Sequence, residues 1–260
     1  MPAETSQTIR EWGDATLGSV PDLDDDPTKT PNAELVVRKY PTSVLAESYR
    51  QTATALFPML DRNGHQSLLL VGCMPGSGTT TVATNIAAAA AAAGKRVLVI
   101  DANFRRPRLA QAMDVASDGP GLADVLSNSA RASEVIVDAD GIGVISAGTP
   151  ASRVSDRLNT AAMDSMLAVL RGKYVLILFA TPPAVVSGDA LILANKVDAA
   201  VLVVRAHQDH RGLIARMMHR LSDAQCEMLG LLLNRPRGIA GGYMKKNYLT
   251  MAEYTDRSAA

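Results

Sequence analysis

Residues 67–81 read Ser67-Leu68-Leu69-Leu70-Val71-Gly72-Cys73-Met74-Pro75-Gly76-Ser77-Gly78-Thr79-Thr80-Thr81, and an alanine-rich stretch ending at Ala93 follows. A short apolar strand that runs into a glycine-rich turn and then a helix is the layout of a phosphate-binding loop. Glycines at 76 and 78 let successive backbone N–H groups face inward as an anion nest, and the helix start adds the positive end of its dipole. Two positions depart from the pattern G-x-x-x-x-G-K-[ST]: Cys73 stands at the first glycine and Thr79 where the lysine belongs. Thr80 keeps the hydroxyl that serves Mg²⁺ in such loops. On the residues alone the turn reads equally as a phosphate cradle and as a structural turn whose glycines serve close packing. The candidate nucleotide-binding set here is Gly76, Ser77, Gly78, Thr79, Thr80 and Thr81.

Outward from this loop, short apolar runs alternate with helical stretches. The runs are Ser67–Gly72, Val97–Ile100, Ile142–Ser146, Tyr174–Phe179, Ala200–Arg205 and Leu229–Leu233. Between them lie expected helices at Thr80–Ala93, Leu122–Leu126, Ala161–Leu170, Asp189–Asn195 and Arg211–Ser222, and Val44, Leu45, Tyr49, Ala53, Leu56 and Leu60 space another by helical period. Strands that are apolar on both faces and alternate with helices predict an α/β fold: a doubly wound, mainly parallel sheet, P-loop NTPase-like. Ligands in such sheets sit beyond the carboxyl ends of the strands.

The segment before residue 36 carries Glu4, Glu11, Asp14, Asp22, Asp24, Asp25 and Asp26 with no apolar period, which predicts a disordered acidic lead over residues 1–35. Trp12 within it reads as a docking anchor or as part of a solvated tail. One domain is expected over 36–236, and the glycines after Pro236 predict a flexible tyrosine-containing tail over 237–260. Basic and acidic residues balance at 26 each in 260 residues, so the overall field that nucleic-acid binding requires is lacking, and no nucleic-acid partner is expected. Cys73 and Cys226 have no metal-ligand spacing and fit a reducing compartment. The polar, acidic start has no secretory signal and no apolar run approaches a membrane span, which predicts a cytoplasmic chain.

Pro75-Gly76-x-Gly78, followed by Asn85 and by the run Gly94-Lys95-Arg96-Val97-Leu98-Val99-Ile100-Asp101-Ala102-Asn103-Phe104-Arg105-Arg106-Pro107, resembles the bacterial tyrosine kinases of polysaccharide export. Pro120-Gly121-Leu122-Ala123-Asp124-Val125-Leu126, Ala147-Gly148, Thr181-Pro182-Pro183, Asp189-Ala190 and Leu233-Asn234-Arg235 fall in that family's order, so the resemblance covers Glu47 to Arg235. It implies a second Walker A-like motif with two aspartates two residues apart, where this chain has Asp101 and Asn103. It also implies a Walker B aspartate directly before Thr-Pro-Pro, where this chain has Ala180. Thr79, Asn103 and Ala180 thus remove the phosphate cation and two carboxylates, leaving Asp101 as the residual catalytic position. Thr80 and Asp101 are the remaining metal candidates if Mg²⁺ binds at all; no cofactor is implied with certainty, and weak binding of ATP or ADP with Mg²⁺ stays open. Phosphoryl transfer rests on positioning and charge neutralisation, and each lost group costs on the order of 10²–10³ in rate without simple additivity. Asn234 matches the family's adenine-contacting asparagine and reads equally as a turn former.

Tyr243, Tyr248 and Tyr254 match the family's terminal tyrosine cluster, which makes them phospho-acceptor candidates; a docking strip or a solvated segment accounts for them as well. Glu47 and Arg50 match the start of the family's Glu-x-x-Arg-x-x-Arg oligomerisation motif, with Ala53 at the last position, so a homo-oligomer through them or a simple intrahelical pair is expected. The resemblance implies the free form of the family, which docks on an integral-membrane polysaccharide co-polymerase or chain-length protein at the inner face of the membrane. The expected role is a pseudokinase-like subunit of capsule, exopolysaccharide or holdfast export; the alternative is an ATP-dependent protein-tyrosine autokinase that regulates chain length or export. Met74 stands where the ATPases that place DNA or septa carry an extra lysine, which points away from them.

Overall fold

The computed structural model describes residues 15–149, 154–237 and 243–257, and Trp12 lies outside them. Eight strands form one sheet: β1 (Thr16–Val20), β2 (Ser67–Gly72), β3 (Val97–Asp101), β4 (Val137–Ala139), β5 (Ile142–Ile145), β6 (Leu176–Ala180), β7 (Ala199–Arg205) and β8 (Glu227–Asn234). Their spatial order is β1-β8-β7-β2-β6-β3-β5-β4. Neighbours pair in parallel except for β4 and β5, which are antiparallel.

Alternation along the strands divides the core into two layers. Leu68, Leu70, Val97, Val99, Leu176, Leu178, Val201 and Val203 pack under α1 (Val36–Lys39), α2 (Val44–Asn63), α3 (Thr79–Ala92) and α4 (Leu109–Ala112). Leu69, Val71, Leu98, Ile100, Ile177, Phe179, Leu202 and Val204 pack under α5 (Leu122–Leu126), α6 (Ala161–Arg171), α7 (Asp189–Ala194) and α8 (Arg211–Ser222). The sheet is thus doubly wound and mainly parallel, with every long apolar run buried on both faces. Ser43 caps α2 by accepting the Ala46 N–H at 3.1 Å, and left-handed Gly64 closes it.

Two stretches expected to be unstructured are ordered where the structure describes them. Within the acidic lead, β1 joins the sheet edge beside β8, and the Arg235 N–H donates to the Val20 carbonyl at 2.8 Å. Asp26 serves a local turn instead of a solvated run: its carboxylate accepts the Thr28 and Thr30 N–H groups at 3.0 and 2.9 Å. Asn85, in the second turn of α3, then fixes the next segment by accepting the Val37 N–H at 3.1 Å and donating to the Ala33 carbonyl at 3.0 Å. The terminal segment holds α9 (Tyr243–Arg257). Tyr248 is only 6% exposed, its hydroxyl 3.3 Å from Ser19 Oγ, and it borders a cavity of about 270 Å³ between β1, α2 and α9. Tyr248 and Met251, three residues apart, share the helix face that lines this cavity. Among the described residues no helix is long and apolar enough to cross a membrane.

Asp198 anchors the start of the central strand. Its carboxylate accepts the Gln66 and Ser67 N–H groups and the Ser67 hydroxyl at 2.8–2.9 Å and pairs with Arg171 at 2.6 Å. Burial works against its charge, yet these hydrogen bonds and the Arg171 charge hold its carboxyl below the ordinary range. Its contribution is therefore complete above about pH 4 and is lost as pH falls through the folded value. Thermal midpoints recorded from neutral pH into acid are expected to drop, and Asp198→Asn should shrink that drop; an unchanged acid slope would contradict the assignment.

Candidate functional site

The carboxyl ends of β2, β3, β6, β7 and β8 converge on residues 73–81. Gly78 is left-handed at φ +91°, and a Cβ there would lie 2.2 Å from Asn234 Nδ2, so only glycine fits. Asn234 Nδ2 donates to the Ser77 carbonyl at 2.7 Å, which ties the end of β8 to the loop. The Ser77 hydroxyl donates to the Met74 carbonyl at 2.7 Å. Cys73 is buried, and burial pushes its thiol up to about 12, which leaves it an inert core thiol. Thr79 begins α3, and the N–H groups of Thr79, Thr80 and Thr81 have no intrahelical acceptor, as at any helix start. The Thr79 hydroxyl turns back toward the strand: a Cβ on Gly72 would meet Oγ1 at 2.8 Å.

Asp101 and Ala180 are register partners across β3 and β6, so the structure brings together the two positions that the sequence singled out for acid and metal chemistry. Asp101 is 1% exposed. Its Oδ1 accepts the Asn103 N–H at 2.9 Å, and its Oδ2 accepts those of Arg108 and Leu109 at 3.0 and 2.9 Å. Burial pushes this carboxyl up and the three N–H groups draw it back, with burial prevailing. Asn103 Oδ1 accepts the Arg106 N–H at 3.1 Å. Ala180, 2% exposed, offers only its carbonyl, which accepts the Ala102 N–H at 2.8 Å.

A magnesium ion seeks near-octahedral oxygen ligation with at least one available carboxylate. Asp101 is turned to its own loop, Asn103 Oδ1 is engaged and residue 180 brings no polar side chain, which leaves the Thr80 hydroxyl. These residues do not fit a magnesium centre. Among the described residues no group of three or more His, Cys, Asp or Glu could hold a metal.

The other singled-out residues lie apart from the loop. Glu47 and Arg50 form an i,i+3 ion pair at 2.9 Å on α2, and Arg50 also donates to the Pro41 carbonyl. Tyr248 is buried against β1, Tyr254 is 79% exposed, and the side chain of Tyr243 is outside the described residues. Sequence reasoning missed Arg205 and Asp209. The Arg205 N–H donates to Asp209 Oδ2 at 2.7 Å, and a Cβ on Gly76 would lie 3.0 Å from Arg205 Nη1. The available signal was position: Arg205 closes an apolar strand at the edge where such sheets bind ligands.

A strand, a glycine loop and a helix at the carboxyl edge of a doubly wound sheet define an α/β protein of the P-loop class. A family model described as an AAA domain matches residues 72–225. The chain is 32% identical over 203 residues to the putative tyrosine-protein kinase EpsB of Ralstonia nicotianae, covering 77% of this chain and 27% of that protein. It is 28% identical over 197 residues to the tyrosine-protein kinase YwqD of Bacillus subtilis, covering 75% and 82%. The solved kinase domain of the Escherichia coli tyrosine kinase ETK superposes with a TM-score of 0.80 at 24% identity, over 91% of this chain and 98% of that domain. The chain belongs to the bacterial tyrosine-protein kinase family. It spans about a quarter of the length of EpsB.

If Asp101 serves its loop, Asp101→Ala should destabilise the fold by about 1–3 kcal/mol, since it strands three N–H groups. A urea midpoint indistinguishable from that of the parent would contradict this role.

Proposed function

We propose that the chain is a pseudokinase-like subunit of a polysaccharide synthesis and export system, which acts by binding an integral-membrane co-polymerase and not by transferring phosphate. The observation that carries this reading is the internal use of the polar groups in the site. Asp101 and Asn103 hold loop backbone, Asn234 holds the Ser77 carbonyl, Ser77 holds Met74, and Thr79 and Ala180 supply neither cation nor carboxylate. A transferring γ-phosphoryl group spreads charge over its oxygens, and catalysis must neutralise it with preplaced cations and metal. Here the loop itself supplies backbone dipoles and neutral hydroxyls but no cation.

The tyrosine-kinase names of the relatives support the pathway, and one relative is the putative tyrosine-protein kinase in the cps region of Klebsiella pneumoniae, 25% identical over 245 residues. Within this reading the chain lies at the inner face of the membrane through its partner. Glu47 and Arg50, already paired with each other, are weak candidates for bridging copies.

Purified protein incubated with ATP and Mg²⁺ should yield no phosphotyrosine on blots. The triple substitution Thr79→Lys, Asn103→Asp, Ala180→Asp should gain signal, lost again in Tyr243→Phe, Tyr248→Phe, Tyr254→Phe. Phosphotyrosine on the unmodified chain would replace this reading with the autokinase one.

A further inference from the structure

Beside the glycine loop, across the ends of β7 and β8, lies a cleft of about 170 Å³ lined by Asp22, Arg205, Ala206, His207, Gln208, Arg235 and Arg237. Three guanidiniums in one small cleft need counter-charge. Arg237 has some, its Nε 3.6 Å from Asp22 and its Nη2 3.9 Å from Asp24. The guanidiniums of Arg205 and Arg235 make no hydrogen bond or ion pair among the described residues.

Arg205 is the one that reaches the loop, with Nη1 3.0 Å from the place of a Gly76 Cβ. Its root is fixed. Asp209 Oδ2 takes the Arg205 backbone N–H at 2.7 Å and lies 3.4 Å from the Ser77 hydroxyl, so the end of β7 and the loop share one carboxylate. That carboxylate engages the backbone of Arg205 by hydrogen bond and its guanidinium by charge alone, which leaves the N–H fork of the guanidinium for another acceptor, while Asp209 Oδ1 is buried without a hydrogen-bond partner. The lining is also held in costly backbone conformations: His207 and Arg235 have φ +63° and +54°. Non-glycine residues in this left-handed region are strained and cluster at functional sites.

We propose that Arg205, with Arg235 beside it, supplies from β7 the cation that Thr79 does not supply from the loop, forming a site for a phosphate-bearing anion that binds without magnesium. This rests on the reading that the magnesium-dependent transfer machinery is lost, and it adds a ligand class to it. A guanidinium fork recognises phosphate oxygens by two parallel charge-assisted hydrogen bonds, a geometry that lysine does not copy. The source of the phosphate is either a nucleoside diphosphate or a simpler phosphate anion, and the two share this chemistry.

Calorimetric titrations of the full chain with pyrophosphate and with ADP, each in EDTA and in Mg²⁺, test the assignment. Both probes are expected to bind in EDTA. Arg205→Ala should weaken them about 10- to 100-fold, Arg235→Ala by less, and Arg205→Lys should recover only part of the loss. Matching circular dichroism melts would show that the variants fold. ADP binding tenfold tighter than pyrophosphate identifies the nucleotide as the source; equal affinities identify the phosphate alone. Absence of binding in EDTA, or unchanged affinity in Arg205→Ala, overturns the proposal. A phosphotyrosine blot of the same samples separates this failure from that of the pseudokinase reading, because the blot responds to transfer and not to Arg205-dependent binding.

Discussion

The hydrogen bond from Asn234 to the Ser77 carbonyl is the constraint around which the carboxyl edge is arranged. It requires Gly78, since any side chain there would strike the amide, and it sets the turn from which α3 departs. From Asn234 the connection runs onward: its carbonyl accepts the Ala206 N–H at 2.9 Å, and the next residue, Arg235, donates to β1. Loop, β7, β8 and the edge strand are thereby one hydrogen-bonded unit. The Asn234 Nδ2 is here committed to the shape of the loop.

The same economy governs Asp101. A carboxylate 1% exposed needs compensation, and three N–H groups of its own loop supply it. At this edge the polar side chains of Asp101, Asn103 and Asn234 hold loop backbone. Fold and chemistry depend on different atoms: apolar burial by eight strands and their helices on one hand, and a few polar tips at strand ends on the other.

Most of the architecture was legible in the sequence. Runs such as Leu68–Val71 and Val97–Ile100 are apolar at every position, which only a sheet covered on both faces satisfies. β1 was not legible, because Thr16–Val20 is short, has no apolar alternation and draws its stability from β8. Nor was α9, whose Tyr248 finds its place only once β1 is folded. In the site, the positions of Thr79, Asn103 and Ala180 could be read from the motifs. Arg205 could not, since its approach to Gly76 joins residues 129 positions apart through the pairing of β2 with β7.

On the proposed function, this edge does not move a phosphoryl group. Following the ³¹P resonances of ATP with Mg²⁺ and stoichiometric protein over hours tests it directly, because hydrolysis and transfer both alter the γ-phosphate signal. The account predicts a γ signal that decays no faster than in buffer. Protein-dependent loss of that signal, with growth of inorganic phosphate or a phosphotyrosine resonance, would contradict it.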